Sequence, residues 1–234
     1  MAGFELAQFV RAGVHVGHQV YRWNPKMYPY IYTETEGIHI LDLVQTLRYL
    51  RRTCKFVHRA AAEGKTFLFV GTKPKSASVV SQQARRCNSH YINYRWLGGM
   101  LTNWTTFTSQ IKNLKLLEKQ ELEGRFELQT KKEAMLLRKK MWKLKRYLNG
   151  VKEMKQRPDI LIAVNQKQEI IAIKEALKLK IPIISIMDTN CDPDLADYII
   201  PGNDDARSSV KLILEKIVNE ICLGQRTRNF TKAN

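Results

Sequence analysis

The chain has 234 residues, of which 44% are hydrophobic, so it can bury one substantial core. Lysine and arginine number 39 against 22 aspartate and glutamate residues, which gives a formal net charge of +17 and a pI near 9.8. A charge this high is typical of proteins whose partner is a polyanion, either a nucleic acid or an anionic membrane surface. No apolar run approaches the roughly 18 residues that span a bilayer, which disfavours an integral membrane protein.

The N-terminal segment MAGFELAQFVRAGVHVGH resembles neither a secretory signal nor a Ser/Arg-rich transit peptide. We therefore expect a chain that is made in the compartment where it works. Its four cysteines are far apart and form no C-x-x-C pair. This spacing predicts four reduced thiols in a reducing compartment rather than a zinc or redox site.

The N-terminal part of the chain contains signals for two helices and a hairpin. A short helix is predicted over residues 4–12. Two alternating stretches, residues 28–32 and 37–41, flank a polar turn and predict a small hairpin. From Asp42 an apolar stripe at steps of three and four predicts a longer helix to about residue 61.

From residue 66 onward, short continuous apolar runs alternate with helical patterns. Strands are predicted at residues 66–70, 91–94, 160–164, 183–187 and 198–200. Helices are predicted at residues 74–87, 168–179 and 205–222, the last followed by a basic tail. Continuous apolar strands separated by helices are typical of a parallel sheet that is covered on both faces. The sequence thus predicts an α/β fold with three layers and doubly wound connections.

One region breaks this alternation, because no strand signal lies between residues 94 and 160. Apolar stripes over residues 104–117 and 134–148 predict two helices joined by a turn at Gly124. We interpret them as a protruding antiparallel coiled-coil hairpin. The predicted domains are a sheet domain, residues 1–102 and 150–234, and an inserted hairpin, residues 103–149.

The second hairpin helix carries charge of almost one sign, with Glu133 as its lone acid. A solvated helix usually mixes signs to gain i,i+4 ion pairs, and this helix forgoes them. That choice is favourable if phosphates neutralise the helix; an ordinary solvated face is the alternative. Its cations are Lys131, Lys132, Arg138, Lys139, Lys140, Lys143, Lys145 and Arg146.

The segment GTKPKS, residues 71–76, follows the first strand of the sheet and opens a helix. Thr72 is a candidate cap, and Lys73 and Lys75 flank a helix N-terminus that is a candidate anion site. The glycine spacing matches neither a phosphate-binding loop nor a dinucleotide fingerprint, so no nucleotide pocket is predicted. Lysine contact with an RNA phosphate is favoured, and simple turn chemistry is the alternative.

Acidic residues cluster in DTNCDPD, residues 188–194, and in GNDD, residues 202–205. One interpretation is a site for a hard cation or for acid–base catalysis. Its residues are Asp188, Asp204 and Asp205, with His18.

A local interpretation of these acids is favoured. Asp192 and Asp194 stabilise a turn around Pro193, and Asn203 or Asp204 caps the last helix. No nucleophile or metal-binding motif occurs elsewhere. The sequence therefore predicts no catalytic residue, no resident metal and no cofactor.

Basic and aromatic residues alternate in YRWNPKMY, residues 21–28, and in NYRWLGGMLTNW, residues 93–104. Adjacent glycines suit neither a strand nor a helix, so the second segment is predicted to be a rigid bend. Cations beside flat rings suit phosphate pairing and stacking on exposed bases. We expect the tryptophans to point inward and Arg22, Lys26 and Arg95 to point outward.

Seven segments, taken in order, resemble protein two of the small ribosomal subunit, of bacterial and organellar type. They are GVHVGH, RWNPKMYPYI, GIHILDL, FVGTK, RWLGGMLTNW, DTNCDPD and IPGNDDA. The resemblance covers nearly the whole chain. It implies a non-enzymatic ribosomal protein with a flavodoxin-like sheet domain and a protruding coiled coil. It also implies binding to small-subunit ribosomal RNA (rRNA) beside neighbouring ribosomal proteins.

The compact C-terminus, without a long acidic extension, is similar to plastid-encoded members and implies the plastid (chloroplast) stroma, with a bacterial cytoplasm as the alternative. No membrane and no small-molecule substrate are expected. The competing hypotheses are a flavodoxin-like enzyme that binds a phosphorylated ligand at the acidic cluster, and a membrane-surface or partner-binding adaptor. The residues predicted to bind rRNA are Arg22, Lys26, Lys73, Lys75, Arg95, Lys139, Lys140, Lys143, Arg146, Arg226 and Arg228.

Overall fold

The computed structural model describes the backbone of residues 5–233 and the side chains of residues 5–228. Its first elements are a helix and a small antiparallel sheet of strand order β1-β3-β2. They are α1 (Leu6–Arg11), β1 (Val16–Gln19), β2 (Ile31–Thr35) and β3 (Ile38–Leu41). The predicted hairpin is present as β2 and β3, and residue 4 of the predicted first helix lies outside the described residues.

Two details of the small sheet differ from the prediction. The segment Pro25–Tyr30 forms a 3₁₀ helix, so the hairpin begins at residue 31 instead of residue 28. Pro25 and Pro29 cause the difference, because each fixes φ and lacks the N–H that a strand donates. The strand β1 is not predicted at all, since its residues are half-buried or exposed and show no alternation.

The main sheet has five parallel strands, and each of them is predicted to within two residues at either end. Their spatial order, β5-β4-β6-β7-β8, is consistent with a flavodoxin-like, doubly wound fold. The strands are β4 (Phe67–Val70), β5 (His90–Ile92), β6 (Ile160–Ala163), β7 (Ile183–Met187) and β8 (Tyr198–Pro201).

Helices cover both faces of this sheet, which confirms the three layers. Because side chains alternate along a strand, Phe67 and Phe69 of β4 face one helical layer, whereas Leu68 and Val70 face the other. The first layer contains α1, α2, α3 and α7, and the second contains α4, α5 and α6. The helices are α2 (Leu43–Ala62), α3 (Pro74–Arg86), α4 (Trp104–Leu122), α5 (Lys131–Leu148), α6 (Ile170–Lys178) and α7 (Arg207–Ala233).

Two helices, α4 and α5, occupy the region that breaks the strand–helix alternation, as predicted. Their buried side chains form one cluster with the adjoining face of the sheet. Arg138 of α5 pairs with Glu121 of α4 at 3.4 Å. The lone acid of α5, Glu133, accepts hydrogen bonds from the backbone N–H and hydroxyl of Thr130 in a capping box. Glu133 therefore caps the start of α5, and the charged residues in the rest of the helix are all cationic.

The predicted basic tail is instead helical, because α7 continues to Ala233. Tertiary packing explains the continuation. Gly224 lies so close to α2 that a Cβ there would overlap the carbonyl oxygen of His58. One residue further, the side chain of Gln225 donates a hydrogen bond of 2.8 Å to the carbonyl of Cys87. These contacts hold the C-terminal turns against the core.

Replacing Gly224 by alanine should therefore destabilise the protein by about 1–3 kcal/mol, because the added methyl group pushes α7 away from α2. Intrinsic helix propensity acts in the opposite direction by about 1 kcal/mol. The midpoint of urea unfolding measures the difference. Gly98→Ala is the control, since a Cβ there meets no atom within 4 Å. A Gly224→Ala variant at least as stable as the parent contradicts the close approach.

Candidate RNA-binding surface and carboxyl edge of the sheet

The switch point of the sheet lies between β4 and β6, and doubly wound folds bind their ligands there. In this chain the buried carboxylate of Glu169 fills that position. Its Oε1 accepts hydrogen bonds from the N–H and the hydroxyl of Thr72, both at 2.7 Å. Burial raises the pKa of Glu169, and the two bonds from Thr72 oppose the rise. The predicted anion position is thus occupied by a group of the chain itself.

The prediction that Thr72 caps α3 is wrong, since its hydroxyl bonds to Glu169 and the N-cap position is held by Lys73, whose side chain makes no capping bond. Lys73 forms an ion pair with Asp205. The second lysine of this segment, Lys75 in the first turn of α3, is exposed. Two lysines are predicted to contact rRNA here. Lys73 is paired with Asp205, whereas Lys75 is not.

The acidic corner lies beyond the ends of β7 and β8. His18 Nδ1 is 2.8 Å from Asp188 Oδ2, and this close contact with a carboxylate raises the pKa of His18. Asp204 is buried; burial, followed by the charge of Asp188, raises its pKa well above the ordinary value. Donor atoms of His18, Asp188 and Asp204 lie within 4.8 Å of one another, and Asp204 Oδ1 has no hydrogen-bond partner. Imidazole and carboxylate ligands suit a divalent metal such as zinc, so this trio could hold one.

Asp192 and Asp194 have the local role that was favoured for them. Asp192 accepts a hydrogen bond of 3.1 Å from the N–H of Asp194 at the start of a 3₁₀ turn. Lys26 Nζ pairs with both carboxylates, at 2.9 and 2.6 Å. Lys26 points outward as expected, but it already has two anionic partners.

The predicted capping of the last helix by Asn203 or Asp204 is not seen, since α7 begins at Arg207 and Asn203 instead stabilises the turn before it. Asn203 Oδ1 accepts hydrogen bonds from the N–H groups of Asp205 and Ala206, at 2.8 and 2.9 Å. The small sheet docks at the same corner, where the N–H of His18 donates to the hydroxyl of Thr189 at 3.0 Å. The acidic corner is therefore a junction between the two sheets.

The bend predicted from NYRWLGGMLTNW is present, and it is built around one carboxylate. Glu175 of α6 is buried, and Oε1 accepts hydrogen bonds from Trp96 Nε1 at 3.0 Å and Gly99 N–H at 2.7 Å. Oε2 accepts from the N–H groups of Leu101 and Thr102, at 2.9 and 3.1 Å, and from the Thr102 hydroxyl at 3.2 Å. Burial raises the pKa of Glu175, but these bonds together outweigh burial and leave it below the ordinary value.

This arrangement explains which side chains of the bend reach solvent. Trp96 is buried, whereas Arg95 is exposed, as predicted. In the other aromatic segment Arg22 is exposed and lies over the ring of Tyr21, at 5.1 Å from its centroid. Trp23, half-buried, packs against His39.

The cationic face of α5 is on the surface. Lys139, Lys140 and Lys143 are exposed. Arg146 is also exposed, and its guanidinium lies 3.9 Å from the ring centroid of Tyr94 at the end of β5. This stack connects the base of α5 to the edge of the sheet. The residues predicted to bind rRNA on this helix thus form one continuous stretch of the surface.

The two predicted arginines of the former tail lie on α7. Arg226 is exposed. Arg228 is half-buried, because its guanidinium contacts Gly64 at the end of α2. Arg228 therefore contributes to packing as well as to charge.

The four cysteines are free, which agrees with the prediction of reduced thiols. Burial raises the pKa of Cys54 to about 12 and that of Cys87 to about 11. Both thiols are therefore neutral and poor nucleophiles at neutral pH.

The fold and its surface define the class of the protein: a basic, doubly wound α/β protein that presents a helix of one charge sign. The family model described as Ribosomal protein S2 matches residues 9–224, and the chain belongs to this family. The small ribosomal subunit protein uS2c of Trieres chinensis is 55% identical over 97% of this chain and 99% of its own length. That of Guillardia theta is 56% identical, over 94% and 93%. The small ribosomal subunit protein uS2 of Nostoc punctiforme is 52% identical, over 94% and 83%.

Glu175→Gln should lower the free energy of unfolding by about 2–3 kcal/mol at neutral pH, because an amide NH₂ then faces N–H donors. Since the folded pKa is depressed, the contribution of the carboxylate is complete above the ordinary pKa of 4.5. It is lost as the pH falls through the folded pKa. Urea unfolding at a series of pH values should show that the difference in unfolding free energy between parent and variant becomes smaller in acid. Glu127→Gln, at an exposed carboxylate, is the control, and a gap independent of pH contradicts the role of the Glu175 charge.

Zinc added to metal-free protein at about 100-fold excess over Kd should raise the thermal unfolding midpoint by roughly 5–10 °C, since the donor atoms of the trio converge only in the folded protein. His18→Ala and Asp188→Asn should each abolish this shift. Asp192→Asn is the control at the same corner and should keep it. The absence of a shift in the parent protein contradicts metal binding.

Proposed function

We propose that this chain is a structural, non-enzymatic constituent of the small ribosomal subunit. We also propose that it binds small-subunit rRNA through α5 and the adjoining end of β5. Membership of the Ribosomal protein S2 family supports the first part, as do relatives named small ribosomal subunit proteins. The exposed, one-signed face of α5 supports the second part and is the observation that carries it.

The energetics of α5 argue for an external anion. Lys139 and Lys143 are four residues apart, and like charges at that spacing destabilise a helix by about 0.2–0.5 kcal/mol. The neighbouring helix α4 has lysines too, but Lys115 pairs with Glu153 at 3.0 Å and Lys119 lies 3.7 Å from Glu123. Among the described residues of α5, Arg138 pairs with Glu121, but Lys139 and Lys143 have no ion-pair partner of the kind that Lys115 and Lys119 have. Phosphate groups remove the repulsion on α5 and release counterions when they bind.

The other residues predicted to bind rRNA fall into two groups, those that already pair with a carboxylate and those that are exposed. Lys26 and Lys73 already pair with carboxylates, so we assign them mainly to holding the sheets together. Lys75, Arg22 and Arg95 are exposed and extend the proposed surface along the carboxyl edge of the sheet. The proposed partners are thus rRNA and the ribosomal proteins that flank it.

We further propose that residues 103–149 act as a protruding coiled-coil hairpin inserted into the sheet domain. The buried stripe of Phe107, Ile111 and Leu114 in α4, at steps of four and three, supports this assignment. The proposed location is the ribosome of the plastid stroma, because several relatives are named uS2c. The similar uS2 of Nostoc punctiforme keeps a bacterial cytoplasm as the alternative.

The enzyme hypothesis is weakened by Glu169, which fills the crevice where a phosphorylated ligand would bind in a doubly wound fold. At the acidic corner, Lys73 and His18 already pair with Asp205 and Asp188, so these two cations are not available to a phosphate. As for the membrane hypothesis, no helix among the described residues is long and apolar enough to cross a bilayer.

Reversing the charge of Lys139, Lys140 and Lys143 to glutamate should reduce incorporation of the chain into small subunits. With purified rRNA, the slope of log affinity against log salt should fall by about 2–3, roughly one unit for each lost phosphate contact. Sedimentation of subunits and filter binding at several salt concentrations measure the two effects.

A control with the same change of charge is available at Lys167, Lys174 and Lys178, which are exposed around α6. Their reversal should leave the salt slope nearly unchanged. Equal losses from the two triple variants would show that net charge acts rather than the α5 surface, and the assignment to α5 would be wrong.

A further inference from the structure

A cleft of about 680 Å³ lies between α5, the edge strand β5 and the turn that follows α5. It is within the size range of small-ligand sites. Trp142 lines it and is 63% exposed, whereas the other three tryptophans of the chain are buried or half-buried. The buried stripe of α5 is formed by other residues, so the exposed indole of Trp142 contributes little to the core. Its flat face is available for a partner.

Cation–aromatic contacts hold the walls of the cleft in place. On one side Arg85 donates a hydrogen bond of 2.6 Å to the hydroxyl of Tyr91. On the other side Arg146 stacks on Tyr94, which in turn meets Tyr147 edge to face with centroids 5.2 Å apart. The cleft is therefore formed in the free protein, so a ligand does not have to order it.

The lining of the cleft is cationic and aromatic. Five of its ten residues are lysine or arginine and none is acidic. Lys145 Nζ lies 5.6 Å from the ring centroid of Trp142, so charge and flat ring belong to one site. A single sign of charge around an exposed ring is complementary to a phosphate next to a base.

We propose that this cleft binds an unpaired nucleotide of RNA, with its base stacked on Trp142 and its flanking phosphates paired with Lys143 and Lys145. The inference rests on the proposed rRNA binding and specifies its chemistry. A continuous A-form helix presents phosphates and hydroxyls but keeps its bases stacked inside, so it engages only the lysines. A bulged or looped-out base can also reach the ring. A protein partner would need acidic groups against every wall.

The test uses the full-length chain with two RNA probes, a short oligouridylate and a perfect A-form duplex of equal charge. Trp142→Ala should weaken binding of the oligouridylate roughly tenfold, because stacking on an aromatic ring is lost. It should change duplex binding by less than about twofold. Trp142→Phe should restore most of the affinity for the oligouridylate, since phenylalanine keeps a flat ring. Met135→Ala, at an exposed apolar residue of the same helix, is the matched control and should have no effect.

Fluorescence gives a second readout of the same contact. The oligouridylate should quench the emission of the parent protein, and the quenching should be absent in Trp142→Phe although binding persists. Equal losses for duplex and oligouridylate in Trp142→Ala would overturn the stacking proposal. So would unchanged binding of both probes in that variant.

Reconstituted subunits distinguish failure of this inference from failure of rRNA binding itself. Trp142→Ala should still enter the small subunit through its lysines, and one unpaired rRNA nucleotide should become more reactive to a base-modifying reagent. Entry with no change in reactivity would overturn the nucleotide cleft and leave the proposed function intact. Loss of a neighbouring ribosomal protein without any change in rRNA reactivity would overturn it in favour of a protein interface.

Discussion

The position of the whole basic surface depends on the buried carboxylate of Glu175. Five hydrogen bonds join it to the segment that leads from β5 into α4, and four of them come from Gly99, Leu101 and Thr102, close to the start of the helix. The polar N–H groups of such a bend cannot be buried without acceptors. A single ionised side chain supplies them, and so fixes the direction in which the two long helices leave the sheet.

The same device appears at the switch point, where Glu169 accepts the bonds of Thr72. In both places an internal carboxyl group satisfies backbone groups that elsewhere in doubly wound folds are available to a ligand. The pKa values of the two acids shift in opposite directions. Hydrogen bonds lower the pKa of Glu175, whereas burial raises the pKa of Glu169. Together they occupy the crevice at the carboxyl edge of the sheet. A partner can therefore contact the exposed cations of this edge but cannot enter the crevice.

Local patterns were sufficient to predict the five parallel strands, the two long helices and the cationic face of α5, because each signal lies within one segment. The contacts that complete the sites are not local. Glu175 acts on residues more than seventy positions earlier, and Lys26 meets Asp192 across 166 positions. The helical end of α7 likewise depends on packing at Gly224, against a helix that is distant in sequence. Sequence reasoning had no signal for these features.

The carboxyl edge of the sheet is electrically uneven. Carboxylates gather beyond β7 and β8, the switch point is closed, and cations without neighbouring acids line the cleft beside β5 and α5. A molecule with this distribution experiences a torque in the field of a polyanion, since the β5 end is attracted more strongly than the end where carboxylates neutralise the cations. The protein therefore orients its β5 end toward the polyanion before the two molecules make contact. The separation of signs along a single edge thus acts on the kinetics of encounter by reducing the orientations that must be searched.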